Sequence, residues 1–142
     1  MPRHPWLILA ALLDFIAATL HLAIIAGGAE WYRFFGAGED FASRAASGDI
    51  IPDLVTLGIA VILIIWGLYC LQAAGRVHLR LPWPRAALTA ITVIYIARAA
   101  APLIAWAVDP AAIDDFLIWS SLICALYALA HGMGLRCRPC SD

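Results

Sequence analysis

Four long apolar runs, separated by short polar connections, organise the chain. They cover about residues 6–26, 53–73, 86–108 and 113–134. At a rise of ~1.5 Å per residue, each is long enough to cross a hydrocarbon layer of ~30 Å. None shows the alternation over ~10 residues that a membrane β-strand requires, so all four predict helices. The punctuation agrees. Leu81-Pro82-Trp83-Pro84 cannot continue a helix and puts Trp83 at a membrane interface. Asp109-Pro110 predicts a helix entry, with Asp109 as N-cap and Pro110 as first helical residue; Pro52 does the same for the second run. Pro102 lies inside the third run, where it frees the carbonyl of Arg98 and predicts a bend. The first run carries Asp14 and His21 and is too long for a signal peptide, so it reads as a retained helix. No internal repeat relates the two helical hairpins.

Composition strengthens this picture. Of 142 residues, 64% are hydrophobic and 13% charged, with mean hydropathy +0.89. A water-soluble domain is closer to half apolar and a quarter charged. The expected fold is therefore all-α: one integral membrane domain over residues 1–142, a four-helix transmembrane bundle with an interfacial aromatic segment between helices 1 and 2. A net charge of −1 leaves no basic surface for nucleic acid. The arginines set the orientation. Arg3 precedes the first run, Arg76, Arg80 and Arg85 fill the connection after the second, and Arg136 and Arg138 follow the fourth. The other connections hold Arg33 and Arg44, diluted by acidic residues. Basic residues mark the cytoplasmic side, so both termini are expected there.

The polar residues within the spans fall on helical stripes, as groups facing a bundle interior should. Asp14 and His21 share a face of the first span. Thr92, Tyr95 and Arg98 form a ridge on the third. Ser120, Cys124, Tyr127 and His131 recur along the fourth, and Asp53, Thr56, Ala60 and Gly67 along the second. Measured from the inner interface, Asp14 falls at ~12 Å, Arg98 at ~18 Å and His21 at ~22 Å. An unpaired charge at such depth costs at least ~2.5–3.5 kcal/mol on insertion scales. An Asp14–Arg98 pair is therefore expected, extended by His21 and Tyr95. It reads either as a device fixing helix register or as a polar pocket or proton path. His131, at ~5 Å, is too far from the level of His21 for the two to share a haem, and is expected at the interface. No cofactor is expected. Cys137-Arg138-Pro139-Cys140 resembles a thiol redox motif but lacks the following helix that would lower its thiol pKa. Cys137 and Cys140 are zinc candidates only by borrowing Cys70, His78 or His131. The chain holds no Gly-rich phosphate loop, no GxSxG and no HExxH.

The connection at 28–42, GAEWYRFFGAGEDFA, concentrates rings and charges. Trp31, Tyr32, Phe34, Phe35 and Phe41 suit an aromatic belt in the headgroup layer. Gly36 and Gly38 permit a tight turn, after which 39–46 predicts a short surface helix. The alternative is a lid over the polar interior, with Glu30 or Arg33 reaching toward Asp53.

His21, the segment Glu30-Trp31-Tyr32-Arg33-Phe34-Phe35-Gly36-Ala37-Gly38-Glu39, Pro52, Thr56 and Ile94-Tyr95-Ile96-Ala97-Arg98 together resemble a family of small uncharacterised bacterial inner-membrane proteins. The similarity covers most of the chain. The general layout is also similar to the DoxX-like four-helix membrane proteins, without residues diagnostic of them. The resemblance implies a four-helix protein of the bacterial inner membrane and supplies no catalytic residue.

Three functions are weighed. The first is a non-enzymatic accessory subunit or binder of a lipophilic ligand. The second is a component of an oligomeric transporter or channel. The third is a membrane enzyme using Asp14, His21, Tyr95 and Arg98, or Glu30 and Asp53. Expected partners are membrane lipids and either further copies of the chain or a membrane partner subunit. The orientation is testable: an alkaline phosphatase fusion after Gly48 should be active and one after Arg80 inactive, and the reverse result would invert the topology.

Overall fold

The computed structural model describes residues 4–136. Among them are seven α-helices, one 3₁₀ turn and no strand. Helix α1 spans Pro5–Gly27, α2 Ala29–Phe34, α3 Glu39–Ala46, α4 Ile51–Ala73, α5 Pro84–Ala99, α6 Ala101–Val108 and α7 Asp115–Arg136. Three helices, α1, α4 and α7, are long and apolar enough to cross a membrane. Counting α5 and α6 as one bent span makes four. These dimensions suit a multi-pass membrane protein.

The third apolar run is thus not one helix. It breaks at Ala100 into α5 and α6, bent by 43°. Pro102 is the cause: it has no N–H to offer the Arg98 carbonyl, and its ring opposes a straight helix through this turn. The entry to the last helix also differs from expectation. Asp109 does cap a turn, accepting the Ala111 N–H at 3.1 Å, but that turn is a 3₁₀ helix of three residues, Pro110–Ala112. The long helix starts later, where Asp114 accepts the Leu117 N–H at 2.6 Å. At the second span, Asp49 receives the Ile51 N–H at 3.0 Å, and Pro52 follows as the second helical residue.

The described residues form two compact units. One comprises the residues up to Leu13 and from Trp66 onward; the other comprises residues 14–65. In the first, α5 and α7 run antiparallel. Arg98 meets Ser120 and Ser121, Tyr95 stacks with Tyr127, and Thr92 faces Gly132. The start of α1 also lies antiparallel along α7, with Tyr127 bonded to the Leu13 carbonyl at 2.8 Å and Leu7 seated on Gly134. The buried side chains Leu88, Ile91, Thr92 and Tyr95 on α5, and Ser121, Tyr127, Ala130, His131 and Gly134 on α7, recur every three or four residues. The turn between α4 and α5 is pinned by side chains. Gln72 accepts the Leu81 N–H at 3.0 Å and donates back to the Leu81 carbonyl at 3.5 Å, and Tyr69 Oη donates to the Pro82 carbonyl at 3.2 Å.

In the second unit, Gly28 at φ +65° reverses the chain out of α1, and its carbonyl accepts the N–H groups of Trp31 and Tyr32. The Trp31 ring then lies where a Cβ on Gly27 would stand, which explains a second glycine there. Helix α3 coincides with the short helix expected over 39–46 and follows Gly38 at φ +91°.

Close approach at Gly134 yields a prediction. A Cβ there would stand 2.5 Å from Leu7 Cδ2 and 3.0 Å from its Cγ. Overpacking of this kind costs ~1–3 kcal/mol. Gly134→Ala should lower the thermal unfolding midpoint of the detergent-solubilised protein by several degrees, and Gly134→Val by more. An unchanged midpoint for Gly134→Val would remove the close α1–α7 contact.

Candidate functional site

Arg98 is the base beside the break in the bent span, and Ser120 and Ser121 hold its guanidinium. Its guanidinium donates to Ser121 Oγ at 3.0 Å and to Ser120 Oγ at 2.9 Å. Ser121 Oγ in turn donates to the Arg98 backbone carbonyl at 3.3 Å, the carbonyl that Pro102 deprives of its usual donor. A backbone N–H at the end of α5 also turns to that carbonyl. Ser120 Oγ completes the set by donating to the Leu117 carbonyl at 3.3 Å. Each hydroxyl accepts one of these bonds and donates another, so its single proton is committed. The outcome is a clamp across the bend, from α7 to α5. Ser120 was legible from the helical stripe. Ser121 was not, although its place opposite a proline-freed carbonyl was a usable signal.

Next to the clamp, one helical turn toward the start of α5, Tyr95 is the hub of a ring cluster. Its centroid lies 5.3 Å from Trp66, 5.1 Å from Tyr127 and 5.2 Å from His131. The edge and tilted geometries are those that aromatic quadrupoles favour. His131, expected at interfacial depth, is fully enclosed by protein, with the Tyr95 ring packed on it. Its Nδ1 is 2.8 Å from the Tyr127 carbonyl, an acceptor only, so the proton sits on Nδ1. Trp66 gave no sign of this role within its apolar run.

The second unit carries a polar closure at the 28–49 connection. Tyr32 is 1% exposed and packs with Ile24 and Ala42, flanked by Phe35, Phe41 and Ala45. Its phenol donates to Asp53 Oδ1 at 2.9 Å. Burial pushes this phenol's pKa up; the nearby Asp53 carboxylate adds to the rise, and the Thr56 hydroxyl opposes it. The lid contact to Asp53 is thus made by Tyr32, whereas Arg33 turns to Glu30 at 2.7 Å and Glu39 at 2.9 Å. A phenol suits this place because its ring fills the small core while its hydroxyl reaches out to the carboxylate. Phe34, 78% exposed, and Trp31, 42% exposed, point outward as belt rings would. Arg44 closes the connection on Asp49 at 2.7 Å.

Other expected residues are placed as follows. Asp14 is fully buried. His21 is half-buried, with Nδ1 2.7 Å from the carbonyl of Ala17 on its own helix. Cys124 is half-buried in α7 and Cys70 fully buried in α4. Cys137 and Cys140 lie outside the described residues. Asp14 and Arg98 belong to different units. Beyond the clamp, α6 and α7 border an open groove of about 400 Å³, lined by Ala101, Ile104, Ala105, Val108, Asp109 and Leu117.

The closure should respond to acid. The Arg33 guanidinium, then the Ser43 hydroxyl, hold Glu39 below the usual carboxylate range. The Ile51 N–H, then Arg44, do the same for Asp49. Both carboxyls have folded pKa values below their unfolded ones, so their contribution is present above the unfolded value and lost as pH falls through the lowered one. Hydrogen exchange over 28–49, corrected for intrinsic rate, should be flat from about pH 5 to 8 and rise below about pH 4. A rise beginning above pH 6 would place its control on another group.

Comparison of the chain with protein-family models, with curated proteins and with solved structures finds no match.

Proposed function

We propose that the chain is a small polytopic protein of the bacterial inner membrane, a four-helix bundle with both termini cytoplasmic, that binds a lipophilic ligand without transforming it. The observation that carries the non-catalytic part is the clamp. Arg98, Ser120 and Ser121 direct their hydrogen bonds at each other and at the backbone of the bend. Among the described residues, no buried side-chain nitrogen or oxygen lacks a partner. General acid–base chemistry needs a titrating group presented to a substrate. Here the polar groups are turned to holding helices together, the use that polar side chains most often serve between membrane helices.

The groove beside the bend supports the ligand. Its lining is aliphatic apart from Asp109, and it includes Leu117, whose carbonyl accepts from Ser120 of the clamp. Sites for small lipophiles are of this size and mostly apolar, with few polar groups. An acyl or isoprenoid chain matches that lining better than a polar metabolite does. The family resemblance of 30–39 and 94–98 belongs to the same proposal: it implies the membrane and the four spans and brings no catalytic residue.

Native mass spectrometry of the full chain, extracted in a mild detergent, tests this. A co-purifying apolar adduct is expected, and Ala105→Phe, which fills the groove, should reduce it at least tenfold. Ser120→Ala with Ser121→Ala should instead lower thermal stability, by ~0.5–1.5 kcal/mol for each hydrogen bond lost. An adduct indifferent to Ala105→Phe would overturn the groove as its site. A turnover abolished by Arg98→Lys in stably folded protein would overturn the non-catalytic reading.

A further inference from the structure

The α4–α5 turn combines features that the packing of the protein does not use. Arg76, His78, Leu79, Arg80, Trp83 and Arg85 are all exposed. Trp83 is 82% exposed and is the only non-glycine among the described residues with positive φ, at +45°. A bulky residue in this left-handed conformation is strained, and it persists only where its surroundings enforce it. They do so here. Pro82 and Pro84 flank it, the Gln72 side chain holds Leu81 on both its N–H and its carbonyl, and Tyr69 holds the Pro82 carbonyl. The chain thus maintains a strained backbone that presents an indole outward.

Charge is sorted along the same unit. Its described carboxylates are Asp109, Asp114 and Asp115, all beyond the far end of α6 or at the start of α7. Arg76, Arg80 and Arg85 lie at the turn, and Arg136 ends α7, which runs antiparallel to α5 and so finishes at the same end. No carboxylate lies between Asp53 and Asp109 in the sequence, so the three turn arginines have no acidic neighbour along the chain. The turn joins α4, a helix of membrane-crossing length, to the bent pair α5–α6. That places it where hydrocarbon gives way to headgroups.

We infer that the α4–α5 turn is a docking surface for anionic phospholipid headgroups, with Arg76, Arg80 and Arg85 taking the phosphates and Trp83 held at a fixed depth in the headgroup layer. A plane of phosphates complements several exposed guanidiniums without countercharge, since each guanidinium can fork onto two oxygens. An indole is apolar on its ring and polar at its N–H, as the headgroup layer requires. The pinned turn removes the entropy that a free loop would lose on docking. This inference is independent of the ligand in the groove.

The full chain in a neutral detergent, titrated with phosphatidylglycerol or phosphatidylcholine and read by native mass spectrometry, provides the test. Phosphatidylglycerol should bind in preference. Arg76→Gln with Arg80→Gln and Arg85→Gln should weaken it by roughly fivefold for each arginine removed. The corresponding triple Lys variant, which keeps the charge, should retain most of the binding, and circular dichroism should find both variants equally helical. Quenching by headgroup-proximal brominated lipid should fall when Trp83→Phe removes the indole. Equal binding of the two lipids, full retention by the Gln variant, or competition by millimolar inorganic phosphate as effective as the lipid's would each overturn the inference. The last would mark the turn as a site for free anions.

Discussion

A missing hydrogen bond governs the bent span. Pro102 cannot donate to the carbonyl of Arg98, and in hydrocarbon no water is present to take the place of the lost donor. The polar atoms around this point are arranged about that deficit. Ser121 donates to the deprived carbonyl and accepts from the guanidinium of the same residue, so one hydroxyl serves both the backbone and the side chain of Arg98. Ser120 takes the second guanidinium nitrogen. Were the proline absent, a straight helix would satisfy the carbonyl by itself, and α7 would have no such reason to bring two adjacent hydroxyls to this level. A single residue thus links the bend, the choice of partner helix and the fate of the half-buried cation.

The consequences run outward from the clamp. By fixing Arg98 against Ser120 and Ser121, it fixes the register of α5 on α7. The register in turn stacks Tyr95 on Tyr127 and His131. Tyr127 then reaches the Leu13 carbonyl, which ties the start of α1 to α7. Between apolar helices in a membrane, little besides shape and hydrogen bonds distinguishes one register from the next, because lipid solvates the apolar faces as well as a neighbour would. Polar contacts of this kind give the specificity that burial of leucine provides in water. The fully enclosed His131 fits this account: its Nδ1–H is committed to the backbone of its own helix, and its ring is packed as a flat, polarisable face.

Much of this was written in the sequence, but unevenly. The apolar runs, the helix at 39–46, the inward stripes and the carbonyl freed by Pro102 all follow from local rules with a fixed period or a fixed stereochemistry. The late start of α7 does not. It depends on which of two caps opens the long helix, Asp109 or Asp114, and Asp109 instead caps the short 3₁₀ turn before it. Partner identity was less legible still. The helical stripes brought Ser120 to notice but not Ser121, and nothing in them said that Arg98 would fork onto two adjacent hydroxyls whose donors and acceptors match the bend itself. At the 28–42 connection, the expected reach toward Asp53 exists but comes from Tyr32. An arginine there had competing carboxylates at positions 30 and 39, three and six residues away, so the nearer pairs formed.

The same logic separates the two polar regions by what each can tolerate. At the 28–49 connection, ion pairs are exposed and exchange with water, so single pairs there contribute little stability and are open to change. The phenol–carboxylate contact of Tyr32 with Asp53 is of the other kind: it is part-buried, and the Tyr32 ring that carries it fills a small apolar core. In the bent span, no substitution at Arg98 preserves all bonds at once, since only a guanidinium offers two nitrogens to two adjacent hydroxyls in one plane. Lysine would keep the charge and lose the fork. The residue's chemistry is therefore specified by the geometry of the bend as much as by its charge, which suits the register device that is one of the two readings of this half-buried arginine.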